Sequence, residues 1–265
     1  MTRAELQLIV DHVADQILGP VGASATPLAP MPAVRTLPSL SAAQLAATID
    51  HTNLKPEASR AEIVQLCEEA LAWRFATVCV HSIWVPLAHR ILRGSPVKVC
   101  TVTGFPAGAV PSAVKRLEAE IAMRNGAEEI DMVLPVGLLR AGELDMVRQD
   151  IAAVAQATAE RGAVLKVILE SAALNEQEIA VGCALSRLGG AQFVKTSTGF
   201  HAAGGARAEH VAWMRRAVGN DLGVKASGGI RTLDDALNML AAGADRIGAS
   251  AGVAILKSLK STSGG

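Results

Sequence analysis

Eight short apolar runs, each followed by a longer stretch of helical periodicity, set the tightest limit on how this 265-residue chain can fold. The runs are Ala47–Asp50, Ala76–Val80, Val97–Thr103, Glu129–Leu134, Val164–Glu170, Gln192–Lys195, Gly223–Ala226 and Arg246–Gly248. Amphipathic segments such as Ser59–Trp73, Ser112–Asn125, Glu143–Arg161, Glu176–Leu188 and Thr232–Ala242 lie between them. A helix between successive strands returns the chain to the same end of the sheet, so the strands run parallel. Eight such units predict an α/β chain folded as a (β/α)8 TIM barrel. The competing doubly wound sheet carries fewer beats and a Gly-rich first turn, and no Gly-x-Gly-x-x-Gly follows the first run here.

Composition narrows the function classes. Half the residues are hydrophobic, yet the chain has four Phe, three Trp and no Tyr, so its core is aliphatic, as buried parallel strands favour. Lys+Arg and Asp+Glu are 25 each, which leaves no net basic charge for nucleic acid, and few rings are available to stack bases. No stretch is long and uncharged enough to span a bilayer, and Glu5, Asp11 and Asp15 do not suit a secretory signal. The cysteines at 67, 79, 100 and 183 form no CxxC pair and read as free thiols in a reducing, cytoplasmic setting.

Two segments precede the barrel. Residues 1–18 carry Leu6, Ile9, Val10, Val13 and Ile17 at helical spacing, and residues 19–40 form a linker rich in Pro, Ala and Ser. The barrel domain is then 41–265.

Chemistry in this fold gathers where the strands end, so the polar residues closing or punctuating each run are the candidates. They are Asp50, Cys79, Asp131, Glu170, Lys195 and Lys225, with Lys166 inside the fifth run. Lys195 and Lys225 fall on adjacent strands, and of two neighbouring ammonium groups the less solvated surrenders its proton more readily. A neutral amine is what Schiff-base chemistry requires. Asp131, flanked by Ile130 and Met132, needs a cationic partner or a proton to carry, either as a salt bridge across the barrel or as a proton shuttle. Lys166 is expected to support Asp131. Asp50 with Thr52 either orients substrate hydroxyls or closes a turn, and Cys79 either lines the pocket or is simply buried. Turns at Ser227-Gly228-Gly229-Ile230-Arg231 and Gly248-Ala249-Ser250 follow the seventh and eighth strands, where glycine amides and a helix start suit a phosphate. No Walker motif implies a nucleotide triphosphate, and the six histidines show no metal-ligand spacing, so no metal or cofactor is expected.

Val194-Lys195-Thr196-Ser197-Thr198-Gly199, Lys225-Ala226-Ser227-Gly228-Gly229-Ile230-Arg231, Glu129-Ile130-Asp131-Met132-Val133 and Ile49-Asp50-His51-Thr52 together resemble the deoxyribose-phosphate aldolase family. The resemblance continues through Thr103-Gly104-Phe105-Pro106 and Gly248-Ala249-Ser250, over about 41–260. It implies a metal-free class I aldolase that interconverts 2-deoxy-D-ribose 5-phosphate with acetaldehyde and D-glyceraldehyde 3-phosphate. By position Lys195 is the Schiff-base lysine, Lys225 the neighbour that eases its deprotonation, and Asp131 the proton donor and acceptor. Thr196, Gly199, Gly228, Gly229, Arg231, Gly248 and Ser250 complete the implied substrate site. A phosphosugar isomerase, or an aldolase for another deoxysugar phosphate, is the competing reading. Two departures stand out: Phe200 occupies a position where some members carry lysine, and the tail Ser261–Gly265 lacks the terminal tyrosine some members use. A homodimer is the expected assembly. The segment 1–18 resembles the targeting peptides of enzymes packed in bacterial microcompartments, which would give a shell-protein partner; packing on its own barrel or on a dimer partner is the other reading.

Overall fold

In the computed structural model, the described residues are 8, 9, 11, 13 and 40–262. Eight parallel strands close into a barrel in chain order: β1 (Ile49–Asn53), β2 (Thr77–Val80), β3 (Lys98–Thr103), β4 (Glu129–Val133), β5 (Val164–Ile168), β6 (Phe193–Lys195), β7 (Gly223–Ser227) and β8 (Arg246–Ala249). The last strand pairs with the first, Ile49 opposite Ile247. Outside lie α1 (Ala42–Ala46), α2 (Arg60–Trp73), α3 (Val85–Leu92), α4 (Ser112–Arg124), α5 (Val136–Arg140), α6 (Leu144–Ala159), α7 (Glu176–Leu188), α8 (Ala208–Val218), α9 (Leu233–Ala241) and α10 (Gly252–Thr262).

Local chemistry explains several boundaries. Ser59, Asn175 and Thr232 start α2, α7 and α9 with reciprocal capping boxes to Glu62, Glu178 and Asp235, each satisfying two backbone donors that a helix start leaves open. The first strand is displaced from its expected position at Ala47–Asp50. Ser41 and Gln44 cap a helical turn that Ala47 closes in helical conformation, so extended backbone begins only at Ile49. The fifth strand stops at Ile168, short of the expected Glu170, which stands in the left-handed region at φ 57°.

Successive strand side chains point to opposite faces, and here the two faces differ sharply. Ile49, Val78, Val99, Ile130, Leu165, Val194, Val224 and Ile247, one from each strand, join a single apolar layer with helix residues such as Ile63, Ile151, Ile179 and Ile255. Burying each such side chain is worth roughly 1.5–3 kcal/mol relative to exposure. Val13 is buried in this same layer and Ile9 packs against it. Apart from Leu8, Ile9, Asp11 and Val13, the expected helix over 1–18, the linker up to residue 39 and the tail beyond 262 lie outside the described residues. No helix among the described residues is long and apolar enough to cross a membrane.

Candidate active site

The alternate strand residues face the barrel axis, and on β1 and β4–β8 they include charged groups. Register pairs Asp131 with Lys166 across β4 and β5, and Lys195 with Lys225 across β6 and β7, which aims each pair the same way. Both oxygens of Asp131 are engaged. Oδ1 accepts from Lys166 Nζ at 2.8 Å and from the Cys100 thiol at 3.2 Å. Oδ2 accepts from Lys195 Nζ at 2.8 Å and from Lys225 Nζ at 2.7 Å. A second tier supports the first: Lys166 also meets Glu129 at 2.5 Å, Lys225 meets Asp50 at 2.5 Å, and Arg246 bridges Asp50 and Glu129. Asp50, Asp131, Lys166 and Lys225 are all fully buried.

Burial alone would drive these groups to their neutral forms, and their partners reverse it. Against burial, Lys166, Lys195 and Lys225 hold the Asp131 carboxyl well below the usual carboxylate range. Lys225 and Arg246 do the same for Asp50. Asp131 and its neighbours keep Lys166 and Lys225 above the ordinary lysine range in spite of burial. Burial pushes the Cys100 thiol well up, which keeps its hydrogen for Asp131. Two groups of buried donors, Cys79 with Cys100 and Asp131, and Asp50 with Cys100 and Glu129, approach as closely as metal ligands do. Their carboxylates already accept from ammonium and guanidinium groups, so a divalent ion would have to displace these cations.

Above this interior opens a cavity of about 570 Å³, with Lys195 on its wall. Thr52, Thr198, Phe200 and the turns Ser227–Arg231 and Gly248–Ser250 line it, along with His51, Lys55 and the α2 side chains Glu62, Gln65 and Glu69. Gly205 and Gly228 are both bare where their backbones meet: a Cβ on Gly205 would stand 2.2 Å from Gly228 O, and one on Gly228, which has φ 90°, would stand 3.0 Å from Gly205 Cα. Gly248 is bare for another reason, since a Cβ there would meet Ser227 Cβ at 2.9 Å and the Lys225 stem at 3.1 Å. Phe200, 49 % exposed, stands edge-on to Phe105 at 5.3 Å and adds an apolar ring to the cavity lining.

Of the site residues expected from the sequence, the cavity wall holds Thr52, Lys195, Gly228, Gly229, Arg231, Gly248 and Ser250. Asp131, Lys225, Lys166, Asp50 and Cys79 are buried within the barrel. Asp50 faces Lys225 and Arg246, and its carboxylate neither closes a turn nor lines the cavity. Thr196 is fully buried, its hydroxyl donated to Ser227 O at 3.1 Å, while Thr198 two residues on is the one that lines the cavity. Gly199 is exposed and stands against Gly228 without lining the cavity. Cys100, Glu129 and Arg246 escaped the sequence reading. For Glu129 and Arg246 the signal was the two-residue alternation along β4 and β8, which puts them on the same face as Asp131 and Gly248; Cys100 is brought in only by register, opposite Cys79 and Glu129.

Comparison with known proteins agrees with this fold. Residues 44–258 match the DeoC/LacD family aldolases. A deoxyribose-phosphate aldolase of Streptococcus gordonii is 54% identical over 209 residues, 79% of this chain and 94% of that one. One from Rhodospirillum rubrum is 54% identical over 230 residues, covering 87% of this chain and 95% of its own. The tetrameric deoxyribose phosphate aldolase of Aeropyrum pernix superposes with a TM-score of 0.79 at 34% identity, over 84% of this chain and 93% of that chain. With a buried lysine on the wall of its cavity and relatives of this likeness over nearly their full length, the chain belongs to the deoxyribose-phosphate aldolase family.

Proposed function

We propose that this chain is a class I, Schiff-base aldolase that reversibly cleaves 2-deoxy-D-ribose 5-phosphate to acetaldehyde and D-glyceraldehyde 3-phosphate. The observation that carries the proposal is the charge arrangement around Lys195. Lys166, Lys225 and Arg246 each meet two carboxylates, whereas Lys195 meets Asp131 alone. Among the described residues Lys166, Lys195, Lys225 and Arg246 face only Asp50, Glu129 and Asp131, so one positive charge is in excess. Taking the proton from Lys195 leaves three cations against three carboxylates, and Lys195 is the one of the four on the cavity wall. The odd charge and the accessible amine coincide.

The reaction follows from that position. Lys195 Nζ attacks the C1 aldehyde of the open-chain sugar, and the carbinolamine loses water to give an iminium. The C2–C3 bond then breaks: the C3 hydroxyl loses its proton, C3 leaves as the aldehyde of glyceraldehyde 3-phosphate, and the electron pair enters an enamine on C1–C2. Protonation at C2 and hydrolysis release acetaldehyde and restore the amine. Asp131 serves as the proton relay. While Lys195 is neutral, Asp131 faces two ammonium groups in place of three, so its affinity for a proton rises at the stage that needs it. In a chain without tyrosine, water held by Asp131 and Lys225 delivers the proton to C2. The phosphate takes the amides of Gly228, Gly229 and the Gly248–Ser250 turn at the start of α10, with Arg231 as counter-charge.

Borohydride reduction in the presence of acetaldehyde, followed by peptide mass spectrometry, tests the assignment. The adduct is expected on Lys195. Lys195→Ala is expected to lose it along with at least about a thousandfold in turnover. No adduct on the wild-type chain would favour a non-covalent isomerase. For residues 1–18, burial of Val13 in the barrel's own apolar layer supports a packing role over shell docking. Deleting them is then expected to lower the melting temperature; a deletion that melts as wild type would return the segment to partner binding. A homodimer is proposed as the assembly, to be read by sedimentation.

A further inference from the structure

Beneath the catalytic loop lies a carboxylate that the reaction above does not use. Glu170, 3% exposed, closes the turn after β5 with left-handed backbone, φ 57° and ψ 52°, a conformation that side chains other than glycine rarely hold without strain. Its oxygens have no ion-pair partner among the described residues. They accept instead from one residue: both lie 3.3 Å from the Thr198 amide, and Oε2 lies 2.5 Å from the Thr198 hydroxyl. The backbone on either side of Glu170 is tied to the catalytic strand, Leu169 N to Lys195 O at 2.9 Å and Ser171 N to Thr196 O at 2.8 Å.

Resting on the aldolase reading, we infer that Glu170 is a positioning residue that fixes the 195–199 loop, and with it the aim of Lys195 and the facing of Thr198 into the cavity. A buried carboxylate without a cation is costly, and a left-handed non-glycine residue adds strain. Both costs fall on the one side chain that braces this loop from the β5 side. The opposite side is braced by Ser227, whose amide donates to Thr196 Oγ1 at 3.0 Å and whose hydroxyl donates to Ser197 O at 2.6 Å. The Thr198 hydroxyl spends its hydrogen on Glu170 and accepts from Phe200 N at 3.1 Å, which leaves only a lone pair to offer the cavity. Glu170 thereby also fixes the polarity of that wall: Thr198 accepts and does not donate.

Glycine is the informative replacement, because Glu170→Gly keeps the left-handed turn and removes only the carboxylate. With 2-deoxyribose 5-phosphate as substrate, Glu170→Gly is expected to melt within a few degrees of wild type or above it. Its kcat/KM is expected to fall about tenfold or more, and its acetaldehyde adduct to form more slowly under borohydride. Glu170→Gln and Thr198→Val, alone and together, form the second measurement: the double variant is expected to be no worse than the worse single one. A Glu170→Gly enzyme with kcat/KM within about twofold of wild type overturns the inference, and so do additive losses in the double variant. Should Glu170→Gly fail to fold, that coupling decides alone. A wild-type chain that neither cleaves the sugar nor traps acetaldehyde would strike the aldolase reading, whereas an active wild type indifferent to these substitutions strikes only this one.

Discussion

Leu165 and Lys166 are neighbours on one strand and live in opposite worlds. Leu165 belongs to the sleeve between strands and helices, a continuous apolar layer to which every strand contributes. Lys166 belongs to the interior, where Asp131, Glu129 and Cys100 close around its ammonium group. Bulky branched side chains commonly fill the inside of such barrels. Here an apolar patch around Leu54, Cys79, Cys100 and Val102, together with Val133 and Ile168 on the inward faces of β4 and β5, shares the interior with a network of buried charges. Cohesion is thus assigned to the outer face of the strands and reactivity to the inner one. A sleeve tolerates change through its own slack; a charge network does not, because each partner removed leaves another charge buried and unmatched.

Substitutions on that one strand separate the two faces. The largest effect is expected from Lys166→Met, which leaves Glu129 and Asp131 without their shared cation: a loss of about 3–5 kcal/mol in denaturant unfolding, and about a hundredfold in kcat/KM. Retention of full activity would show that the interior is not one electrostatic unit. Next comes Leu165→Ala, expected to cost about 2–5 kcal/mol through the cavity it leaves, with kcat per folded molecule unchanged. A large fall in kcat there would mean that sleeve and interior are mechanically coupled. The smallest effect near neutrality is that of pH. Asp50 and Asp131 are held below their ordinary value of 3.8, so the unfolded chain takes up protons that the folded chain refuses. Their contribution is complete above that value and is lost as the pH falls through it toward the folded values. Melting temperature is expected to be flat from about pH 5 to 8 and to drop below about pH 4; an acid limb no steeper than that of Asp131→Asn would remove these groups from the account.

How much of this was readable beforehand follows the same division. Lys195, Lys225 and Asp131 could be picked out because each interrupts or ends an apolar run, a local signal. Glu129 and Arg246 sit at the start of their strands and look like ordinary solvent-facing ends until the register sets them under Asp50 and Lys166. The strand preceding Asp50 was displaced by two residues, since alanines suit a helical turn and a strand end alike and only the Ser41 cap decides between them. Thr196 and Thr198 were indistinguishable in a hydroxyl-rich turn. What separates them is the direction of Ser227 on one side and Glu170 on the other, neither of which a linear motif records.

Arg246 on the last strand holds Asp50 on the first, across 196 residues of chain. That clasp bears on how the molecule comes into being. During synthesis from the amino terminus, β1 waits with an unpaired edge, and Asp50 waits without its guanidinium, until nearly the whole chain is available. The charge balance proposed to ready Lys195 is therefore absent from any product that stops before Arg246. A molecule cut before β8 would lack the closing strand and the fourth cation together, so competence for chemistry and completion of the ring arrive in a single late event.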